Sequence, residues 1–191
     1  MAALYAYSSG DARPATAAPP GACDCHLHAY DARYPTVKGA RLLPPDASMA
    51  QYHAIQARLG IQRAVLVTPS TYGADNRPML DALAQLGRQA RGVAVIDGSE
   101  SDAHLQALHD AGVRGIRLNL SLGVTSTIDQ VLPLAARVAP LGWHVQLLMP
   151  PERLAQLEGL LSALPAPIVF DHMARISPAQ AGTHPAHALV L

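Results

Sequence analysis

The stretch "GACDCHLHAYDARYP", residues 21–35, decides how the rest of the chain is read. If residues 22–28 form a strand, side chains alternate, so Asp24, His26 and His28 share one face and Cys23, Cys25 and Leu27 the other. The cysteines lack the two-residue gap of a thioredoxin-type or zinc-knuckle motif, and beside a leucine they read as buried packing residues. Two histidines on a strand can be neutral core groups bonded to backbone. A carboxylate beside them, with more polar groups at later strand ends, points instead to a site. The strand runs into "HLHAYDARYP" without G-x-G-x-x-G, and no Walker lysine occurs anywhere, so the usual phosphate loop of an open nucleotide-binding sheet is missing.

Further along, short apolar runs alternate with helical stretches. The runs are "AVLVTPS" (64–70), "GVAVID" (92–97), "GIRLNL" (115–120), "HVQLLM" (144–149) and "IVFDHM" (168–173). Their Val, Ile and Leu content fits parallel strands buried on both faces. Between them, helices are predicted from Ser48 to Gly60, from Asp75, and from Ser101 to Gly112, each with a cap residue or glycine stop. A helix over 127–141 should kink at Pro133, and another should start at Pro151. Strand starts recur every 23 to 29 residues, one β/α unit each. Repeated crossovers of this kind build either a closed barrel or an open doubly wound sheet.

Polar residues at the strand ends favour the barrel, whose chemistry gathers at the C-terminal rim. His26 and His28 end the first strand, Ser70 and Tyr72 follow the second, and Arg117 and Asn119 end the fourth. Gln146 lies in the fifth; His172 and Arg175 end the sixth. Alternation within "GIRLNL" sets Arg117 and Asn119 together, and within "HVQLL" it sets His144 with Gln146. A buried arginine is costly alone, so Arg117 implies either a bound anion or a paired Asp or Glu. Asp171 is expected to face away from His172 and to serve strand packing; Trp143 and Met149 are expected in the core. His53, His104, His109, His184 and His187 fall on helices or the tail and should be solvated.

The composition is that of one globular domain: 191 residues, 50% hydrophobic, with 14 basic and 14 acidic side chains and no net charge. That balance argues against nucleic-acid or polyanion binding. Two neighbouring cysteines give no disulfide framework. No apolar run reaches the ~20 residues a membrane span needs, and the N-terminus lacks the basic start and apolar core of a signal peptide, so a cytoplasmic location is expected. The Ala/Pro/Ser/Gly-rich residues 1–21 read as a flexible arm, leaving 22–191 as the domain.

Taken in order, "CDCHLHAYDARYP", "PSTYGADN", "GVRGIRLNL", "HVQLL" and "FDHMAR" resemble the amidohydrolase superfamily, in its 2-pyrone-4,6-dicarboxylate lactonase-like branch. The resemblance covers residues 22 to about 185. It implies a TIM-type (β/α)8 barrel that opens a small carboxylated lactone, or a related ester or amide, by attack of water. It also implies a site in which His26, His28 and His172 are catalytic with Arg117, while Arg175 holds substrate carboxylate. Ser70, Tyr72 and Asn76 become candidate substrate contacts, joined by Asn119 and Gln146. Arg117 stands where binuclear relatives carry a carboxylated lysine, so a bridged two-metal site is not expected. The branch implies work without an obligatory metal, although His26 and His28 could hold a single divalent ion such as zinc. Six β/α units fit in this length against ~250 residues for a full barrel. The strand-eight aspartate of the family therefore lies past Leu191. This leads to an expectation of little hydrolysis by the chain itself and of self-association through open barrel edges. The competing readings are an inactive fragment or pseudoenzyme that keeps an anion site, and an open α/β sheet binding a small anion.

Overall fold

The computed structural model describes residues 12–40, 42–121 and 126–191. The chain forms β1 (Cys23–Leu27), α1 (Met49–Leu59), β2 (Arg63–Val67), α2 (Arg77–Leu86), β3 (Ala90–Ala94), α3 (Asp102–Asp110) and β4 (Val113–Asn119). It continues through α4 (Val131–Val138), β5 (His144–Leu148), α5 (Pro151–Leu154), α6 (Glu158–Ser162), β6 (Ile168–Phe170) and α7 (His187–Val190). All neighbouring strands are parallel and their spatial order is their chain order, β1 to β6. A doubly wound sheet reverses its order at a switch point. This sheet never does, so the open-sheet reading is set aside. The fold is a six-unit TIM-type half-barrel, and β1 and β6 are its edges among the described residues.

The helices begin and end where their sequences dictate. Ser48 accepts from the Gln51 N–H in a capping box that starts α1, Gly60 closes it at φ 73°, and Ser101 accepts from the His104 N–H to start α3. Pro133 lies in the first turn of α4, where its missing N–H costs nothing, and the helix expected over 127–141 is an α-helix flanked by 3-10 turns at Ile128–Gln130 and Ala139–Leu141. The single helix expected from Pro151 is instead two short ones, α5 and α6. Apolar side chains of the helices pack on the sheet in one cluster that includes Leu66, Leu83, Leu108, Ile116, Val138, Trp143 and Leu147. Each such buried aliphatic contributes about 1.5–3 kcal/mol of transfer free energy.

On the concave side, β4 and β5 pair without a break from Gly115↔His144 to Asn119↔Leu148. The His144 ring fills the space where a Gly115 Cβ would stand, 2.4–2.7 Å from its atoms. The edges are less regular. In β1 the pairing steps from Asp24↔Ala64 to Leu27↔Leu66, so Cys25 and His26 together oppose one residue of β2. This bulge breaks the alternation expected there. Asp24 and Leu27 both turn to α1, where the Tyr52 hydroxyl donates to Asp24 Oδ2 at 3.1 Å, and Asp24 does not share a face with His26. The cysteines, expected buried, are half-buried at Cys23 and exposed at Cys25 on this edge strand.

β6 stops at Phe170, three residues short of the expected strand, and the chain enters a left-handed turn. His172, Met173, Ala174 and Arg175 all have φ between 51° and 57°. For residues with a Cβ this costs roughly 1–2 kcal/mol each. Of the expected N-terminal arm, residues 1–11 lie outside the described residues, and 12–21 contain no helix or strand. Among the described residues no helix is long and apolar enough to cross a membrane.

Candidate active site

The ends of β1, β4, β5 and β6 meet in one polar cluster. Arg117 is 4% exposed and its Nε donates to Asp171 Oδ2 at 2.8 Å, a buried ion pair. Gln146 donates through Nε2 to Asp171 Oδ1, and the same Nε2 faces His26 Nδ1 at 3.1 Å. His26 Nδ1 is 3.4 Å from Asp171 Oδ1, and its Nε2 is buried with no partner. The His26 ring centroid lies 4.9 Å from that of His28 and 5.2 Å from that of His172. His28 donates from Nδ1 to the Val67 carbonyl at 2.7 Å.

Above this cluster is a cavity of about 450 Å³. His28, Arg117, Asn119, Ser70 and His172 form its polar side, with Tyr30 and Thr71; Val37, Leu42 and Leu148 form an apolar side. Asn119 Nδ2 donates to Ser70 Oγ at 2.9 Å, which ties the ends of β2 and β4 together across the floor. Burial pushes the His28 imidazole down to about 4, so it is neutral at pH 7. Burial by itself raises the Asp171 carboxyl. The contact with His26 and the charge and hydrogen bond of Arg117 outweigh it and hold Asp171 below the usual carboxylate range.

Of the expected site residues, the fold brings His26, His28, Arg117, Asn119, Ser70, Gln146 and His172 together. Tyr72 and Asn76 are turned elsewhere. The Tyr72 hydroxyl accepts from Asp31 N at 2.8 Å and donates to Asp31 O at 3.1 Å, pinning the loop after β1. Asn76 is saturated by Thr68, the Val95 backbone and the Ala74 carbonyl. Arg175 is exposed on the left-handed turn, and its Nη1 donates to Ser121 Oγ at 3.3 Å. The expectation for Asp171 fails outright: it is 3% exposed and is the hub of the cluster. Because β6 ends before it, strand alternation no longer sets its direction. The need of a buried Arg117 for a carboxylate was the signal that could have found it. Two of the histidines expected in solvent also have work. His109 Nδ1 accepts from the buried Trp143 Nε1 at 2.9 Å, and the His184 side chain is only 11% exposed. The "SLGVTS" loop after β4 falls largely on 122–125, outside the described residues.

His26, Asp171 and His172 each offer a ligand atom, all within 4.8 Å of one another. Two imidazoles and a carboxylate are the donor set of a single zinc-type ion, and the unpartnered His26 Nε2 leaves an atom to fill. The set differs from the expected His26 and His28 pair.

Comparison with known proteins supplies a context for this geometry. The amidohydrolase (Amidohydro_2) family profile matches residues 23–191. The chain is 41% identical over 167 residues to a 2-pyrone-4,6-dicarboxylate hydrolase of Comamonas testosteroni, covering 85% of this chain and 55% of that protein. It is 31% identical over 169 residues to a 4-sulfomuconolactone hydrolase of Rhizobium radiobacter, covering 85% and 56%. Among solved structures, a probable 2-pyrone-4,6-dicarboxylic acid hydrolase from Acinetobacter baumannii with citric acid bound superposes with a TM-score of 0.77 at 28% identity, covering 90% of this chain and 66% of that one. The chain thus spans just over half the length of the curated relatives it matches.

Proposed function

Because this chain belongs to the amidohydrolase family, we propose that it carries the anion-binding and carbonyl-polarising part of an enzyme that opens a small carboxylated lactone with water. The observation that carries this reading is Arg117: buried, anchored at Nε by Asp171, and facing a cavity of about 450 Å³ lined also by His28 and His172. A guanidinium fixed at one nitrogen keeps its other donors aimed, which suits a carboxylate or a polarised carbonyl oxygen. The apolar side, Val37, Leu42 and Leu148, suits the flat face of a lactone ring. The names of the relatives support the same class, since both curated relatives are described as acting on acidic lactones, and the citric acid in the Acinetobacter protein is a polycarboxylate.

Each group has a distinct task. Arg117 and His172 hold the anionic end of the substrate. His28 donates its Nδ1 proton to the Val67 carbonyl, so its Nε2 is an acceptor that orients water or a substrate hydroxyl. Asp171 is a weak base while Arg117 holds it ionised; it serves to position Arg117, Gln146 and His26 rather than to take a proton from water. Asn119 and Ser70 fix the floor, and Tyr72 and Asn76 hold the surrounding loops.

The test is binding of matched carboxylated and neutral lactones by calorimetry, followed by turnover. The carboxylated ligand should bind at least about 10-fold tighter, and Arg117→Lys should remove most of that preference, since a charged bidentate contact contributes ~1.5–3 kcal/mol. Equal affinity for the two ligands overturns the reading.

A further inference from the structure

The two neighbouring histidines of β1 are set up differently, and the difference traces to one amide. Asp171 is paired with the Arg117 guanidinium at 2.8 Å and acts as an acceptor, so Gln146 must turn its NH₂ and not its oxygen toward Asp171 Oδ1. That contact fixes the amide orientation. Its NH₂ has two hydrogens, one for Asp171 and one for His26 Nδ1 at 3.1 Å. A ring nitrogen that accepts carries no proton, so the His26 proton is on Nε2, the atom that is buried and unpartnered.

We propose that Gln146 is a positioning residue that fixes His26 as its Nε2–H tautomer and so withholds the lone pair a metal ion would need. His28 is locked in the opposite form by the Val67 carbonyl. Two imidazoles 4.9 Å apart then hold opposite tautomers, and of the two only His28 lines the cavity. The tautomer rests only on the side-chain geometry and not on the lactone reading.

Removing the amide should reverse the arrangement. Asp171 Oδ1, 3.4 Å from His26 Nδ1, becomes the nearest acceptor. The proton moves to Nδ1, and Nε2 is left with a lone pair backed by a carboxylate, the arrangement metal-binding histidines use.

The experiment is long-range ¹H–¹⁵N correlation on ¹⁵N-histidine-labelled protein at about pH 8, above the ordinary imidazole pKa of ~6.5, with His26 assigned by the signals lost in His26→Asn. Wild-type protein should show Nε2–H at His26 and Nδ1–H at His28. Gln146→Leu, and Gln146→Met as a second variant of similar length, should move His26 to Nδ1–H without changing His28. Zinc affinity, measured by competition with a chromophoric chelator, should rise at least about 10-fold in the same variants. A Gln146 that served only packing would leave the tautomer unmoved. An Nδ1–H pattern at wild-type His26 overturns the proposal even if neither variant folds, with folding followed by the fluorescence of the buried Trp143. Retention of Nε2–H in the variants, or an unchanged zinc affinity after the tautomer has moved, overturns it as well. These spectra need no substrate, so a chain that turns out not to bind lactones still decides the question.

Discussion

The centre of the sheet and its edges make the site in different ways. β4 and β5 pair over five consecutive positions with no shift in register, and β4 is almost wholly buried. There the period of two holds, and it carries Arg117, Asn119 and Gln146 to the concave side. Among the described residues β1 pairs with β2 alone, carries a bulge, and is half-buried except at the exposed Cys25; β6 is three residues long and ends in a left-handed turn. Those departures aim His26, Asp171 and His172. The regular centre supplies the cation, and the irregular edges supply the groups that position it and share its cavity.

The contrast can be tested first at the bond that joins the two regions. Asp171→Leu leaves the Arg117 guanidinium buried and alone and should cost about 3–5 kcal/mol in urea unfolding, whereas Arg117→Met with Asp171→Leu should recover most of that loss. Equal loss in single and double variants would mean that the pair matters for packing and not for charge. A smaller effect is expected inside the regular ladder. Gly115→Ala places a Cβ against the His144 ring and should cost about 1–3 kcal/mol.

The edge contributes a pH dependence. His28 is pushed down to about 4 by burial, so between about pH 6.5 and 4 the folded chain binds fewer protons than the unfolded one. Stability should therefore fall as pH drops through that window and be fully present above it. His28→Gln should flatten this slope in thermal unfolding at stepped pH. The smallest effect has the opposite sign from that at Gly115. Met173, 80% exposed at φ 54°, should gain about 1 kcal/mol on replacement by glycine, because nothing is lost from the core and the left-handed strain is relieved. A glycine that destabilises position 173 would mean that the Met173 side chain, and not the backbone, holds the turn.

What could be read from the residues divides along the same line. The six β/α units, the capped helices and the inward side chains of β4 and β5 follow from periodicity and cap chemistry. Each of those features is decided by neighbours within a few positions of the chain. Asp171 was misplaced because its direction depends on where β6 ends, and nothing local marks Phe170 as the last paired residue. Asp24 and the cysteines were misplaced because one extra residue in β1 shifts every assignment across it. Tyr72 and Asn76 sit at the right strand end, but their polar atoms are claimed by Asp31 and Val95, partners that only the folded chain brings near.

The bulge in β1 also bears on changes of length. Cys25 and His26 together oppose a single residue of β2, with Asp24 and Leu27 both facing α1. Deleting Cys25 restores a plain two-residue repeat in which Asp24 and Leu27 still face α1 and His26 still faces Gln146. A deletion within Ile116–Asn119 has no spare residue to absorb it and turns Arg117 out of its pocket. Insertions and deletions should therefore be tolerated at one place in the first strand and nowhere in the fourth, so that an alignment gap beside the first histidine is no sign of a lost site.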